Sequence, residues 1–397
     1  MKKILSILLL MLVSIASFGQ KKQIQTAEEQ LKKGKELVKV EKAMELLLKD
    51  SANRTNSKIW LFLCEALIKQ YDQGNEKLYL KQKYDTTAFF NITRKLYHTM
   101  SSFDSVDVRN NPSRKPKYRE KHAKLLNSIR PNLFNGGVFF IHAQDFKQAY
   151  SFFDDFILLD NLPLFTGYHY KNSDPLIPHA AYWAMYCGYK IQDATLILKH
   201  KEWAEKDSSM LNFVKQYEAE AYLLQEDTIK YVHALKDGFS QYPNFGYFFP
   251  RLIEYYDKIG ANDSALIVAD SALKVDSTNV LFRFAKSTAL LNLGKYNQSI
   301  AICKQLIKER EDFADAYYNI GVAYFNQAIE LDKNWQRSSV KRNSIVAYYE
   351  KALPYIEKYK ELMPDSKEKW LAPLYTIYLN LNMGKEFDII DRIRNGR

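Results

Sequence analysis

Two carboxylate pairs, Asp154-Asp155 and Glu218 with Glu220, come nearest in this sequence to the groups that acid–base catalysis uses. Glycoside hydrolysis needs two carboxylates facing each other across a cleft. Pairs this close along the chain are ordinary on solvated helices, and nothing in the sequence sets a second carboxylate opposite either one. None of the seven histidines falls in the His-Glu-x-x-His spacing that puts two imidazoles on one helical face for zinc. Cys64, Cys187 and Cys303 stand singly in apolar stretches. That scattered, odd set makes neither a disulfide framework nor a Cys-x-x-Cys metal site, and reads as three buried thiols. Neither the Gly-x-Ser-x-Gly elbow of a serine hydrolase nor the Gly-x-x-x-x-Gly-Lys-Ser/Thr phosphate loop occurs. Gly136-Gly137 invites a phosphate-loop reading, but the periodicity below explains both as points of close helix approach. The sequence predicts a protein that is not an enzyme, with no catalytic residue, no cofactor and no metal.

The elements that carry these side chains are helices. Fourteen Gly and 11 Pro stand against 28 Tyr and 23 Phe in 397 residues, which disfavours a turn-dense β architecture and favours long helices in aromatic contact. Lys2 and Lys3 precede an apolar run from Ile4 to Ile15, followed by small residues at Ser17 and Gly19. This predicts a cleavable export signal over 1–19, with Gln20 as the mature N-terminus and the periplasm as the destination, where attachment to the outer membrane is the alternative. No cysteine stands near the cleavage point to take a lipid. No second long apolar stretch follows, so the mature chain is expected to have no integral membrane span. The net charge of +11 suits anionic partners, among them acidic glycans or acidic proteins, and an exported protein meets little nucleic acid.

Self-similarity at a period of 34 residues organises the chain. With units starting at Asn212, Gly246, Val280 and Ala314, the eleventh position holds Tyr222, Tyr256, Leu290 and Tyr324, and the eighth holds Ala219, Ile253, Ser287 and Gly321. In the same register Gly260 aligns with Gly294, Ala265 with Ser299, Ala269 with Cys303 and Ala272 with Leu306. Each unit reads as two amphipathic helices. Tyr247 to Ile259 forms the first, Gly260 ends it in the left-handed conformation, and Asp263 or Ser264 caps the second, which runs to Val275. Neither helix can bury its apolar face alone, so neighbouring units must stack.

Phe249, Ile253, Tyr256 and Ala265 in one unit, and Tyr317, Gly321 and Tyr324 in another, resemble the pattern of the tetratricopeptide repeat family. The resemblance implies an all-α, right-handed α-solenoid of helical hairpins. It is strong over 212–363 and weaker upstream, where Leu133, Gly137, Phe140, Ala149 and Phe153 fit a unit from Arg130, and Trp60, Cys64 and Leu67 fit half of one near Ser57. A unit over Pro178–Leu211 follows by counting back, although its small-residue pattern is poor. A first pair over Ile24–Asp50 and a last unit near Lys367 bring the expected total to about nine hairpins. The predicted organisation is a degenerate helical region over 20–211 with an exposed basic loop near 104–121, then a regular superhelix over 212–397 with an insertion near 326–344. The basic segment Gln336–Arg342 is expected to project from that insertion.

The resemblance also implies function. In this family the first helices of successive units line a concave groove that holds protein segments. Transferred position by position, the groove comprises Tyr247, Pro250, Glu254 and Asp257, then Leu281, Phe284, Thr288 and Leu291, then Asp315, Tyr318, Val322 and Phe325. Tyr247, Glu254, Phe284, Thr288, Tyr318, Val322 and Phe325 are the candidate partner-binding residues. The subset of the family that grips C-terminal carboxylates needs Lys, Arg and Asn at places that here hold Pro250, Glu254, Ala285, Asp315 and Asn319; only Asn319 could serve. Arg114, Lys115, Lys117 and Arg119 form a candidate patch for an anionic partner such as an acidic glycan. Asp85-Thr86-Thr87, Asp227-Thr228-Ile229 and Asp263-Ser264-Ala265 resemble O-glycosylation tripeptides of exported bacterial proteins, but each also stands where a helix begins and reads as a cap. The expectation is an exported scaffold that binds a protein or peptide segment, with a cell-envelope glycan-binding module as the alternative.

Overall fold

The computed structural model describes residues 20–112, 115–333 and 339–395, with the side chains of 339–341 excepted. The expected signal over 1–19 and Arg114 lie outside them. The described chain is all-α and divides into two compact units, one ending at Asp227 and one beginning at Thr228. No described helix is long and apolar enough to cross a membrane.

The first unit contains α1 (20–33), α2 (Leu37–Lys49), α3 (Ser57–Tyr79), α4 (Thr86–Asn110), α5 (Arg119–Ile129), α6 (Pro131–His142), α7 (Phe146–Leu158), α8 (Tyr170–Ser173), α9 (Leu176–Ile191), α10 (Ala194–Leu198), α11 (Lys201–Ala204) and α12 (Leu211–Leu224). Aspartates and one asparagine start many of these helices. Asn56 accepts from the Lys58 N–H, Asp85 from Ala88, Asp145 from Gln148, and Asp193 from both Thr195 and Leu196. Each bond satisfies an amide that the first helical turn leaves unpaired, and Asp85 is thereby the cap its sequence suggests. Consecutive helices pack as hairpins, α6 on α7 most plainly. A Cβ on Gly136 would fall 2.6 Å from the Phe152 ring and one on Gly137 2.5 Å from Phe153, so both glycines mark close helix approach.

The second unit contains α13 (Thr228–Gln241), α14 (Phe248–Lys258), α15 (Asn262–Val275), α16 (Val280–Asn292), α17 (Tyr296–Glu309), α18 (Ala314–Lys333), α19 (Ser339–Leu362), α20 (Lys367–Asn380) and α21 (Gly384–Arg394). The turns follow the expected device: Gly260 and Gly294 lie at φ of +67° and +72°, where a side chain would be strained. Ala265, Ala269 and Ala272 on α15 are buried, as are Ser299, Cys303 and Leu306 at the same places on α17. Small residues at all of these places but Leu306 let each second helix close on its partner. Helix α15 starts one residue before the expected caps, however. Asn262 is already helical and Ala261 holds the cap position without a side-chain bond, so neither Asp263 nor Ser264 caps.

One expected loop is largely helix. Helix α4 runs on to Asn110 because Phe103, Asp104, Val106 and Asp107 are all buried along it, and α5 begins at Arg119, so of the basic loop near 104–121 only 111–112 and 115–118 are described outside helices. The insertion near 326–344 is absorbed mainly by lengthening α18 and α19, which pack extensively on each other. Residues 339–342 of the expected projecting segment are the first turn of α19, and 334–338 lie outside the described residues.

Candidate functional site

Helix α9 has two faces of opposite character. Ile177, Ala180, Ala181, Ala184, Met185 and Gly188 turn inward and are fully buried or nearly so. On the opposite side His179, Tyr182, Trp183, Tyr186 and Lys190 recur at helical spacing, and all but Tyr182 keep exposed area. Small residues on the inner face bring the helix close to its neighbours, which leaves the large rings nowhere to go but outward.

Neighbouring first helices extend this aromatic face into a ridge. Phe134 of α6 stacks on His179 at 6.0 Å between ring centres. His179 meets Trp183 edge-on at 6.0 Å, Trp183 meets Tyr186 at 5.5 Å with 86° between planes, and Tyr186 meets Phe146 at 5.9 Å and 81°. Tyr217 of α12 closes the base, stacked on Tyr189 at 5.1 Å and next to Phe213 at 6.5 Å. Edge-to-face rings are mutually stabilising and stiff, so the ridge has a fixed relief of slots between perpendicular planes.

Charge frames the ridge. The Lys190 ammonium lies 5.5 Å above the Tyr186 ring and 6.0 Å above Phe146. His179 Nδ1 pairs with Asp207 at 3.1 Å. Burial alone would raise the Asp207 carboxyl, but bonds from Ser209 and His179 hold it below the usual carboxylate range. Burial drives the Tyr217 and Tyr182 hydroxyls above their ordinary values, so both are neutral donors at the foot of the ridge.

These residues were legible yet passed over. In the register starting at Pro178, the groove positions two, five, nine and twelve are His179, Tyr182, Tyr186 and Tyr189; the unit starting at Arg130 contributes Phe134, and the unit starting at Asn212 contributes Phe213. That count reaches His179, Tyr186 and Tyr189 but not Trp183, which stands at position six, and its Tyr182 is as buried as Tyr247.

The expected groove residues of the second unit fare unevenly. Tyr247 is core, only 6% exposed, with its ring between Phe248 and the Arg251 guanidinium at 3.8 Å; burial removes it from the candidate surface. Phe284 leans on Phe313 at 5.0 Å, Tyr318 on Tyr359 at 5.0 Å and Phe325 on Tyr349 at 5.8 Å. Each of the three keeps part of its surface, as does Val322. Thr288 accepts a 3.0 Å bond from the Asn319 amide, which also reaches Ser287 at 3.3 Å. Asn319 is thus buried inside the hairpin stack, and the one residue that matched a carboxylate clamp is engaged internally. Glu254 is exposed and pairs with Lys258.

The remaining chemistry-bearing residues serve the stack. Asp155 takes Arg94 and His98 of α4, whereas Asp154 takes Lys199 and His200 from beyond α9, so these adjacent carboxylates tie α7 to opposite neighbours. Glu218 is buried between Lys201 and Lys215. All three cysteines are buried, and burial pushes the Cys64 and Cys187 thiols up to about 12 and Cys303 to about 11. Among the described residues no group of three or more His, Cys, Asp or Glu gathers to hold a metal. In the basic patch Lys115 and Lys117 are exposed, but Arg119 gives both arms of its guanidinium to Asp104 at 2.8 and 2.7 Å and is not a free cation.

No family model matches the chain, and no curated protein matches it. Solved structures do resemble it. The C-terminal part of a TPR repeat-containing protein from Cytophaga hutchinsonii is 12% identical and covers 65% of this chain and 92% of its own, with a TM-score of 0.44. A tetratricopeptide repeat protein from Parabacteroides merdae is 14% identical and covers 67% of this chain and 97% of its own, at 0.37. The TPR domain of P58(IPK) is 13% identical and covers 88% and 99%, at 0.26. Hairpins that start at the expected 34-residue intervals, first helices ended by Gly260 and Gly294, and small-faced second helices give the second unit an all-α fold of tetratricopeptide-type hairpins.

Proposed function

We propose that the protein is a non-catalytic, exported scaffold whose first-helix faces hold a segment of another protein. The carrying observation is the aromatic ridge on α6, α9 and α12. Packing explains the small inner face of α9, but it does not require Trp183, Tyr186 and Phe213 to remain partly exposed on the outer one. Partly exposed, rigid aromatic anchors with hydroxyl or ring N–H tips are the groups that dominate binding energy at protein interfaces. The slots between perpendicular rings suit side chains of an extended segment. Among the solved structures with a likeness to this chain is a domain of yeast Sti1 in complex with pHSP90. Support for export comes from the Lys2-Lys3 start and the apolar run to Ile15.

A photo-crosslinking residue placed at Tyr186 in native cells is expected to trap a defined protein adduct, and one at exposed His142 is not. Replacing Trp183 and Tyr186 together by Ala should abolish the adduct from a crosslinker at Phe213. Identical adducts from ridge and control positions, or retention of the adduct in the double variant, would refute the ridge as the binding face. N-terminal sequencing of protein recovered from the cell envelope should begin at Gln20, and a retained Met1 would refute cleavage.

A further inference from the structure

We infer that a second, separate site, in the depression between the loop preceding α5 and the turn at Pro163–Phe165, binds an acidic protein segment. Its carboxylates meet Lys115 and Lys117, and an adjacent apolar side chain rests on Ala123, Leu164 and Tyr168.

The loop is held from beneath. Asp104 and Asp107, near the C-terminal end of α4, are 5% and 2% exposed. Buried carboxylates are costly unless fully bonded, and these two spend their bonds on the loop. Asp104 takes the Arg119 guanidinium at 2.8 and 2.7 Å. Asp107 accepts the Tyr118 backbone N–H at 3.0 Å and the Asn111 side-chain amide at 3.2 Å. Asn111 on one side of the lysines and Tyr118 and Arg119 on the other are therefore fastened to α4. Pro116 between the two lysines further narrows the backbone. An anchored loop loses little entropy when its side chains engage a ligand.

What the loop presents is a depression of about 460 Å³, within the range of specific ligand sites. Its floor is apolar: Ala123 and Leu164 are each 4% exposed, and half-buried Tyr168 is backed by Tyr170 at 5.4 Å. Its rim carries Lys115 and Lys117, both exposed and, among the described residues, without a carboxylate partner. Glu120 is the single acidic lining residue. Lys117 lies 5.3 Å above the Tyr118 ring, which leaves its ammonium open to an anion; two such cations above an apolar floor complement a carboxylate that neighbours an aliphatic or aromatic side chain. A saccharide fits less well. Sugar hydroxyls need several side chains that both give and accept, and the lining offers only the Tyr168 hydroxyl, with no Asn, Gln, Ser or Thr.

The test uses the full mature chain and a short fluorescein-labelled peptide of alternating Glu and Leu, followed by fluorescence anisotropy. Comparators are the same peptide with Gln for Glu, one with Ser for Leu, and a sulfated heparin oligosaccharide. Lys115→Glu with Lys117→Glu should weaken binding about tenfold. The same charge change at exposed Lys121 and Lys124 on α5 should cost less than about twofold, the long-range contribution alone. Both double variants should unfold at the wild-type temperature, and the Gln and Ser peptides should bind poorly. The site is overturned if the two double variants weaken binding equally, if either neutralised peptide binds as well, if the saccharide binds more tightly, or if the Glu–Leu peptide does not bind. Trp183→Ala with Tyr186→Ala should leave this peptide's affinity unchanged, so failure here does not bear on the aromatic ridge.

Discussion

Gly188→Ala tests the packing that pushes the aromatic face of α9 outward. The new Cβ would lie 2.7 Å from the Ile197 nitrogen and 3.0 Å from the Leu196 carbonyl carbon, both backbone atoms of α10. That backbone cannot simply retreat. The Asp193 side chain holds its first amides at 2.9 and 3.1 Å, and the Asp193 N–H donates to the Gly188 carbonyl at 3.1 Å. Overpacking of this kind costs about 1–3 kcal/mol, and a disturbed cap about 1 kcal/mol more. The gain in helix propensity from Gly to Ala returns about 1 kcal/mol. A net loss of about 2 kcal/mol follows, which would lower the melting temperature of a unit this size by roughly 4–8 °C. Gly246, with nothing within 4 Å of its would-be Cβ, is the control; its Ala variant should be neutral or slightly stabilised. Hydrogen exchange on the full chain localises the effect, with protection falling in α9 and α10 peptides for Gly188→Ala alone. Equal or greater protection in those peptides would refute the claim that α10 sets the position of α9.

Asp154→Asn should destabilise the first unit by about 1–3 kcal/mol at neutral pH, because buried His200 loses a charged acceptor. Burial would raise the Asp154 carboxyl, but His200 and Lys199 hold it below its ordinary 3.8, so its contribution is present above that value and fades as pH falls through the depressed one. The gap between wild type and variant should therefore close below about pH 4; a gap constant from pH 7 to pH 3 contradicts the pairing. Burial holds the Cys64 and Cys303 thiols at about 12 and about 11 against an ordinary 9.0, so their contribution to stability is intact below that ordinary value and is lost as pH rises toward 12. Urea midpoints should decline over that alkaline window, and native protein should resist iodoacetamide near neutrality; rapid labelling of any cysteine would show it to be accessible. Asn319→Ala should cost about 2 kcal/mol in urea unfolding, because it empties a buried bond to Thr288 and Ser287. An unchanged midpoint would return Asn319 to the groove surface.

What could be read from the sequence was whatever depended on local repetition. The starts of α16, α18 and α20 fall at Val280, Ala314 and Lys367, where the register sets them, because neighbouring hairpins repeat the same demands: a small residue where helices touch and a left-handed residue where the chain turns, Gly260, Gly294 or Asn382. Burial against distant elements was hidden. The run after Phe103 carries turn-like and charged residues, yet Val106 and Asp107 face inward, and only the stack shows that Asp107 is bonded there to a loop amide. Tyr247 likewise fits a groove position by count and is core by contact.

The ridge was missed for the opposite reason, since the unit that carries it departs from the pattern used to find units. Its eleventh position is Gly188, not an aromatic residue, and its second helix is broken between α10 and α11. Both departures have one cause. The α10 backbone comes so near α9 that no side chain fits between them, and a ring at position eleven would occupy the space α10 needs. The aromatic mass of this unit is instead found on the outer side, at Trp183, Tyr186 and Tyr189, with Tyr182 buried at its foot. Agreement with the repeat is low in this unit because its rings stand away from the packing positions, at groove positions five, nine and twelve and at Trp183 in position six. In a solenoid whose stability is shared among neighbouring hairpins, one unit can give up a regular interior when the hairpins on either side hold it. Departure from the packing pattern, combined with aromatic residues at groove positions, is therefore the signal that separates a binding hairpin from one that only stacks.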